Sequence, residues 1–448
     1  MREAAHKQSD LRVDPDKVLE TLGKHMNVDG FPIVFDPKKS KGSRLVDEAT
    51  GKTYLDLFMF FATCPIGFNH PRLLEKDFLE RLTTSAVNKP SNSDFYSTYM
   101  AELVETIERV AMPPELPNIF FIEGGALGVE NALKAAFDWK VRKNFERGAK
   151  KEIGTQVIHF REAFHGRTGY TLSLTNTNPV KTDYYPKFDW PRITNPKITF
   201  PLEDRLDEVI AAEEKAKEEI KAAIRERGDD IAALIIESIQ GEGGDNHFRP
   251  EFFKFLREIT EENEIILVFD EVQTGVGLTG KFWAYEHMGV VPDILAFGKK
   301  MQVCGMMASD KINEVESVFK VPGRINSTWG GNFTDMVRAT RYLQIIHEEN
   351  LVENARIVGD YLLSSLGKIA ERYPDVVTST RGRGLMVAFD LPDRDKRQSF
   401  VSVARDNGLI AAGCGTRTVR FRPALNLTMA DVDEGMEIVD KTLKEILA

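Results

Sequence analysis

From about residue 76 to about residue 335, short apolar runs alternate with stretches whose apolar residues recur every three or four positions. The runs Asn118 to Ile122, Gln156 to Phe160, Ile231 to Ile236, Ile265 to Phe269 and Ile294 to Phe297 have the length of strands, and the stretches between them predict helices. Strands separated by helices argue for an α/β fold, a mostly parallel sheet covered on both faces. Residues 1–75 read instead as an irregular arm. There Phe31 to Phe35 and Arg44 to Asp47 are β-like, and Asp47 to Lys52 forms a polar turn. From 336 the pattern turns helical (Met336 to Asn350, then Leu351 to Tyr373), passes through short strands and ends in a helix over Asp431 to Leu447. Three units follow: an arm over 1–75 that completes the small domain, a large domain over 76–335 and a smaller C-terminal α+β domain over 336–448. Glu203 to Asp230 is dense in charge with a narrow apolar stripe at Leu206, Val209, Ile210, Ile220 and Ile224, which predicts a solvated outer helix.

The length of 448 residues exceeds what one hydrophobic core usually supports, in keeping with more than one domain. A formal net charge of −10 argues against a nucleic-acid partner. Cys64, Cys304 and Cys414 lie far apart, so a reducing compartment without disulfides is expected. The opening residues are polar, no signal peptide is expected, and no apolar run approaches the ~20 residues that span a bilayer. These features together predict a cytoplasmic protein with no membrane partner.

Against this background two strand ends stand out. The run Ile265 to Phe269 delivers Asp270, and Ile294 to Phe297 delivers Gly298, Lys299 and Lys300. Open α/β sheets bind ligands outside the carboxyl ends of their strands. An acid and an amine brought there together suit a pyridine-ring aldehyde cofactor, pyridoxal phosphate. The carboxylate keeps the ring nitrogen protonated, and the amine captures the aldehyde and later moves a proton. Such residues otherwise serve as a helix cap and a solvated surface pair.

Two further segments bear on the same chemistry. Phe121 to Lys134 is a strand, a double glycine (Gly124, Gly125) and a helix, the layout of a phosphate site, although a bare tight turn has the same pattern. In Phe164-His165-Gly166-Arg167 an aromatic ring could stack on a flat cofactor while the arginine grips a carboxylate. Gly275 to Lys281 matches a nucleotide-binding loop, but Phe282 follows where a magnesium-binding hydroxyl belongs, which argues against that reading. The eight histidines show no metal-ligand spacing, and His159 and His165 read as structural.

Together these motifs resemble the class III (ω-type) aminotransferases of pyridoxal-phosphate fold type I, the aspartate-aminotransferase-like fold, over nearly the whole chain. The residues that carry the resemblance are Phe269 to Gly275 with Gly298-Lys299, then Phe164 to Arg167, Glu242 to Gly244 and Val419 to Pro423. The resemblance implies that Lys299 binds the cofactor aldehyde and Asp270 its ring nitrogen. It also implies that Gln273 meets the phenolic oxygen, that Val272 and Phe164 flank the ring, and that Gly125 and Ala126 hold the phosphate. Thr328 would reach the phosphate site of a neighbouring subunit in a homodimer. Arg167, Arg420 and Asn326 would bind substrate, with Glu242 as a switch acid opposite Arg420. Gly124-Gly125 replaces a more usual Ser-Gly, and the choice of Lys299 over Lys300 rests on spacing alone. Stretches such as Asp245 to Pro250 and Asn326 to Asn332 are similar to the branch that moves the terminal amine of L-lysine to 2-oxoglutarate. Transfer from 4-aminobutyrate or ornithine is the alternative, and a racemase or mutase of the same fold a more distant one.

Overall fold

The computed structural model describes residues 12–448. The amino-terminal segment contributes two short antiparallel strands, β1 (Arg44–Val46) and β2 (Thr53–Asp56). Phe31 to Phe35 is not a strand: only Phe35 makes a single bridge, to Asp47, and the rings of Phe31 and Phe35 instead pack edge-on against Phe58 and Phe60.

Seven strands then build the central sheet: β3 (Asn118–Ile122), β4 (Gln156–Phe160), β5 (Arg192–Ile193), β6 (Ile231–Glu237), β7 (Ile266–Asp270), β8 (Ile294–Phe297) and β9 (Cys304–Ala308). Their order is β3-β9-β8-β7-β6-β4-β5, and β9 alone runs against its neighbours. The hydropathy pattern misses β9, because Cys304-Gly305-Met306-Met307-Ala308 has no β-branched or aromatic residue to mark it.

Strands β6, β7 and β8 are buried along their whole length, as both faces of the sheet are covered. Alternate side chains feed separate cores. Leu234, Ile236, Leu267, Phe269, Leu295 and Phe297 join one. Ala233, Ile235, Ile266, Val268, Ile294 and Ala296 join the other. The second core is closed by the helix Gly125–Glu146, which is buried on several sides through Val129, Ala132, Leu133, Ala136 and Trp139 rather than amphipathic. Removing a large anchor such as Phe269 would forfeit about 3–5 kcal/mol.

The charged segment forms one helix, Leu202–Arg227, but its inward stripe is Val209, Glu213, Ala216, Ile220 and Ala223. Leu206 and Ile210 face solvent, so two of the five stripe positions expected from sequence lie on the wrong side.

Beyond the helices Phe333–Glu348 and Leu351–Arg372, β10 (Thr378–Arg383), β11 (Met386–Asp390), β12 (Leu409–Ile410), β13 (Ala412–Cys414) and β14 (Thr418–Phe421) follow. Four make an antiparallel sheet, β10-β11-β14-β13, whereas β12 pairs in parallel with β2. Arg44 also pairs with Asp431 and Glu434 of the last helix, Met429–Leu447. The amino-terminal strands are thereby fastened to the carboxy-terminal part of the chain. No helix among the described residues is long and apolar enough to cross a membrane.

Candidate active site

Strands β3, β4, β6, β7 and β8 point the same way, so their carboxyl ends open on one rim of the sheet. A cavity of about 550 Å³ lies there, lined by Gly125, Ala126, Phe164, Arg167, Asp270, Val272, Gln273 and Lys299. Eight of the residues singled out in the sequence therefore share one wall-to-wall space. They come from turns up to 174 residues apart in sequence, from Gly125 to Lys299.

The phosphate end is set by sterics. Gly124 has φ +96° and caps the 22-residue helix Gly125–Glu146, whose first amide groups have no partner within the helix. A Cβ on Gly125 would stand 2.7 Å from Val272 Cγ1, so glycine is required for the helix end to meet the turn after β7. Positive dipole and free amide groups at that end suit a phosphate.

Asp270 is fixed at both oxygens. Oδ1 accepts from the Val272 amide at 3.0 Å, and His165 Nδ1 donates to Oδ2 at 2.8 Å. His165 is thus part of the cavity wall, against the structural role read for it from sequence. Burial opposes a charged His165 ring, but the bond to Asp270 and the charges of Asp270 and Glu237 outweigh it and raise its pKa. His159, in contrast, lies deep in the core, where burial pushes its pKa down to about 3.

Lys299 and Lys300 separate cleanly. The Lys299 side chain lines the cavity, where burial, then the positive charge of Arg420, draws its pKa down to about 8 despite Asp270 and Glu237. An amine near that value is available as a nucleophile and base at neutral pH. Lys300 is buried outside the cavity lining, donating to the Gln273 carbonyl.

Gln273 Oε1 accepts from Arg420 Nη1 at 3.4 Å and from Arg422 Nη2 at 3.2 Å. Two cations must face the amide oxygen rather than the amide NH₂, which leaves Nε2 free to serve as a donor. Arg420 is 2% exposed and also donates from Nη2 to Glu242 Oε2 at 2.7 Å. Glu242 and Arg420 line a neighbouring cavity of about 600 Å³, walled by Phe31, Phe58, Phe60 and Phe61. Burial pulls the Glu242 carboxyl upward, yet Arg420 and Lys181 together hold it below its ordinary value. The loop that carries it leaves no room at either flank. A Cβ on Gly241 would lie 2.1 Å from Gln273 Oε1, and one on Gly243 would lie 2.2 Å from the Glu162 carbonyl oxygen.

Asn326 and Thr328 are exposed on the loop before the helix Phe333–Glu348, and neither lines the cavity of its own chain. Gly166 of the Phe164 to Arg167 motif lines it too, as do Thr63, Glu237, Gln302 and Cys304, to which the sequence reading gave no site role. Glu237 carried a usable signal. It ends the apolar run of β6 just as Asp270 ends β7, and the two are paired in register. Its oxygens accept from the Phe164 and Gly241 amides at 2.9 and 3.0 Å, and burial lifts its pKa to about 7.

That shift has a sign that can be measured. Folded Glu237 keeps its proton up to about pH 7, whereas the unfolded chain loses it near 4.5. The native state then binds more protons across that window, so stability falls as pH rises through it. His165, also raised, contributes in the same direction. In protein stripped of cofactor, the thermal midpoint should drop between about pH 5 and pH 7, and Glu237→Gln should flatten the slope. An equally steep slope in the variant would contradict the assignment.

Three comparisons with known proteins bear on these residues. The family model described as aminotransferase class-III matches residues 25–443. The chain is 52% identical over 431 residues to the L-lysine-epsilon aminotransferase of Mycobacterium tuberculosis, covering 96% of each sequence. It is 48% identical over 434 residues to the L-lysine-epsilon aminotransferase of Amycolatopsis lactamdurans, again over 96% of each. Among solved structures, the lysine aminotransferase from M. tuberculosis in the internal aldimine form superposes with a TM-score of 0.95 at 51% identity, over 97% of this chain and all of the other.

Proposed function

Given that this chain belongs to the class III aminotransferases, we propose that it transfers the terminal amino group of L-lysine to 2-oxoglutarate, with pyridoxal phosphate as cofactor. The products are 2-aminoadipate 6-semialdehyde and L-glutamate. The cavity fits the cofactor at each end. The glycine-flanked helix terminus, with Gly125 and Ala126, would hold the phosphate, and Asp270 would meet the ring nitrogen. Phe164 and Val272 would flank the ring, and Gln273 Nε2 would donate to its phenolic oxygen. When bound, the cofactor supplies an aldehyde that captures amines and a ring that takes up the electrons left by a departing proton.

The remaining work falls to the chain. Lys299, whose amine would hold the cofactor aldehyde, would also serve through Nζ as the base that takes the proton from the donor's terminal carbon. Asp270, held by His165 and the Val272 amide, would offer its carboxylate to the ring nitrogen. Arg167, exposed at the cavity rim, suits the carboxylate at the far end of either substrate.

The observation that carries the reading is the Arg420–Glu242 pair. One pocket must first admit an amine with no adjacent carboxylate and later a keto acid that has one. With Glu242 in place Arg420 is neutralised, and a buried guanidinium left alone would be costly. With Glu242 withdrawn, Arg420 is free for the keto acid. Glu242→Ala should therefore admit α-amino acids as donors and cut the preference for lysine over them by about tenfold, while 2-oxoglutarate still serves. An unchanged donor preference in steady-state assays would remove the switch.

The functional unit is proposed to be a cytoplasmic homodimer. Support comes from the exposed loop that holds Asn326 and Thr328, beside Trp329 and the strongly exposed Phe95 and Tyr96. Asn92 donates to the Gly331 carbonyl at 2.7 Å, so these segments form one surface. A second copy covering it would bring Thr328 to the partner's phosphate site and Asn326 to its substrate. The assay that tests the whole reading measures glutamate formed from lysine plus 2-oxoglutarate, with 4-aminobutyrate and ornithine run in parallel. Faster turnover of either alternative would reassign the donor.

A further inference from the structure

Glu242 has a second cationic partner that the switch described above leaves unused. Lys181 Nζ donates to Glu242 Oε1, the oxygen not held by Arg420. The two cations differ in setting: Arg420 is 2% exposed at the side chain and Lys181 25%. Lys181 is also held independently of the carboxylate. Its Nζ sits 5.3 Å from the centre of the Phe164 ring, a cation–π distance. Its backbone lies in a short turn, Pro179–Lys181, that begins with proline and is capped by Asn178, whose side chain accepts from the Val180 amide at 3.1 Å.

We propose that Lys181 is a positioning residue, the fixed anchor on which the Glu242 carboxylate pivots when it releases Arg420. The idea rests on the switch reading of the Glu242–Arg420 pair. Its physical basis is that breaking a partly buried ion pair strands a charge, which is the main cost of the movement. A carboxylate that keeps Oε1 on Lys181 while Oε2 leaves Arg420 is never unpaired. Lys181 stays on the Phe164 ring throughout, so the pivot is tied to the wall of the cofactor cavity. Without Lys181, Glu242 has Arg420 as its one strong partner, and the closed arrangement deepens.

Lys181→Met keeps the stem of the side chain and removes the charge. In the holoenzyme, KM for 2-oxoglutarate should rise about tenfold relative to KM for lysine, the size of one partly exposed charge-assisted bond. Lys181→Arg should restore the ratio. In a Glu242→Ala background the Lys181→Met change should leave the 2-oxoglutarate KM where Glu242→Ala alone puts it, since no carboxylate remains to be anchored. An unaltered KM ratio in Lys181→Met, or an equal rise in the Glu242→Ala background, would overturn the anchor. If Glu242→Ala itself alters neither donor choice nor 2-oxoglutarate use, the switch reading fails instead, so the two failures are distinguishable.

Discussion

Lys299→Ala is expected to lower turnover by about 10⁴-fold or more and to abolish the visible absorbance of the bound cofactor, because it removes both the amine that holds the aldehyde and the base that moves the proton. The contrast with Lys300 makes the prediction specific. Lys300 is buried, donates to the Gln273 carbonyl and stands outside the cavity wall. Burial and the neighbouring Lys299 depress its pKa well below the usual lysine value. Lys300→Met should therefore retain the absorbance while lowering thermal stability through the lost bond to Gln273. Absorption spectra and single-turnover rates on the two variants check the pair. Normal colour in Lys299→Ala would hand the role to its neighbour.

Asp270→Asn is the second large effect, expected to cost about 10³-fold in kcat. The amide keeps the size of the carboxylate and removes the charge that faces the ring nitrogen. It also disturbs His165, whose raised pKa depends on the bond to Asp270 and on its charge. A structural role alone would lower stability and spare the proton-removal step. The measurement is the rate of that step with lysine deuterated at its terminal carbon. A loss carried by binding, with the step itself at the normal rate, would contradict the electrostatic role.

Much of this site can be read in the sequence where chain continuity carries the information. An apolar run that stops at an acid, as at Asp270, states both a buried strand and a polar group at its end. Glu237 has the same signature, an acid that ends the apolar run of β6. His165 has no metal-ligand spacing to mark it, but its place between Phe164 and Gly166 puts it in the loop after β4. The inward stripe of the helix Leu202–Arg227 is poorly legible in sequence, because its charge density leaves few apolar residues to fix the phase. Glu213, buried on the inward face and paired with Arg249 at 3.3 Å, looks like a surface residue in sequence.

Other features have no local signal at all. Lys181 meets Glu242 across 61 positions, and Arg422 pairs with the buried Asp245 across 177. Such contacts exist only because the fold brings the turn Pro179–Lys181 and the end of β14 to the loop after β6. The short strand β9 and the contribution of Thr63 belong to the same class, since nothing in their composition distinguishes them. What sequence could not separate, Lys299 from Lys300, the structure separates by lining the cavity with the first and burying the second against the Gln273 carbonyl. Lys299 itself takes φ +47°, a left-handed conformation uncommon outside glycine and of the kind that gathers at functional sites.

The most direct test of the account is borohydride reduction of the cofactor-loaded protein, followed by peptide mapping to find the lysine that carries the pyridoxyl group. The account predicts the label on Lys299, within the peptide that follows β8. A label on Lys300, or no covalent label in protein that binds the cofactor and turns over lysine, would contradict it.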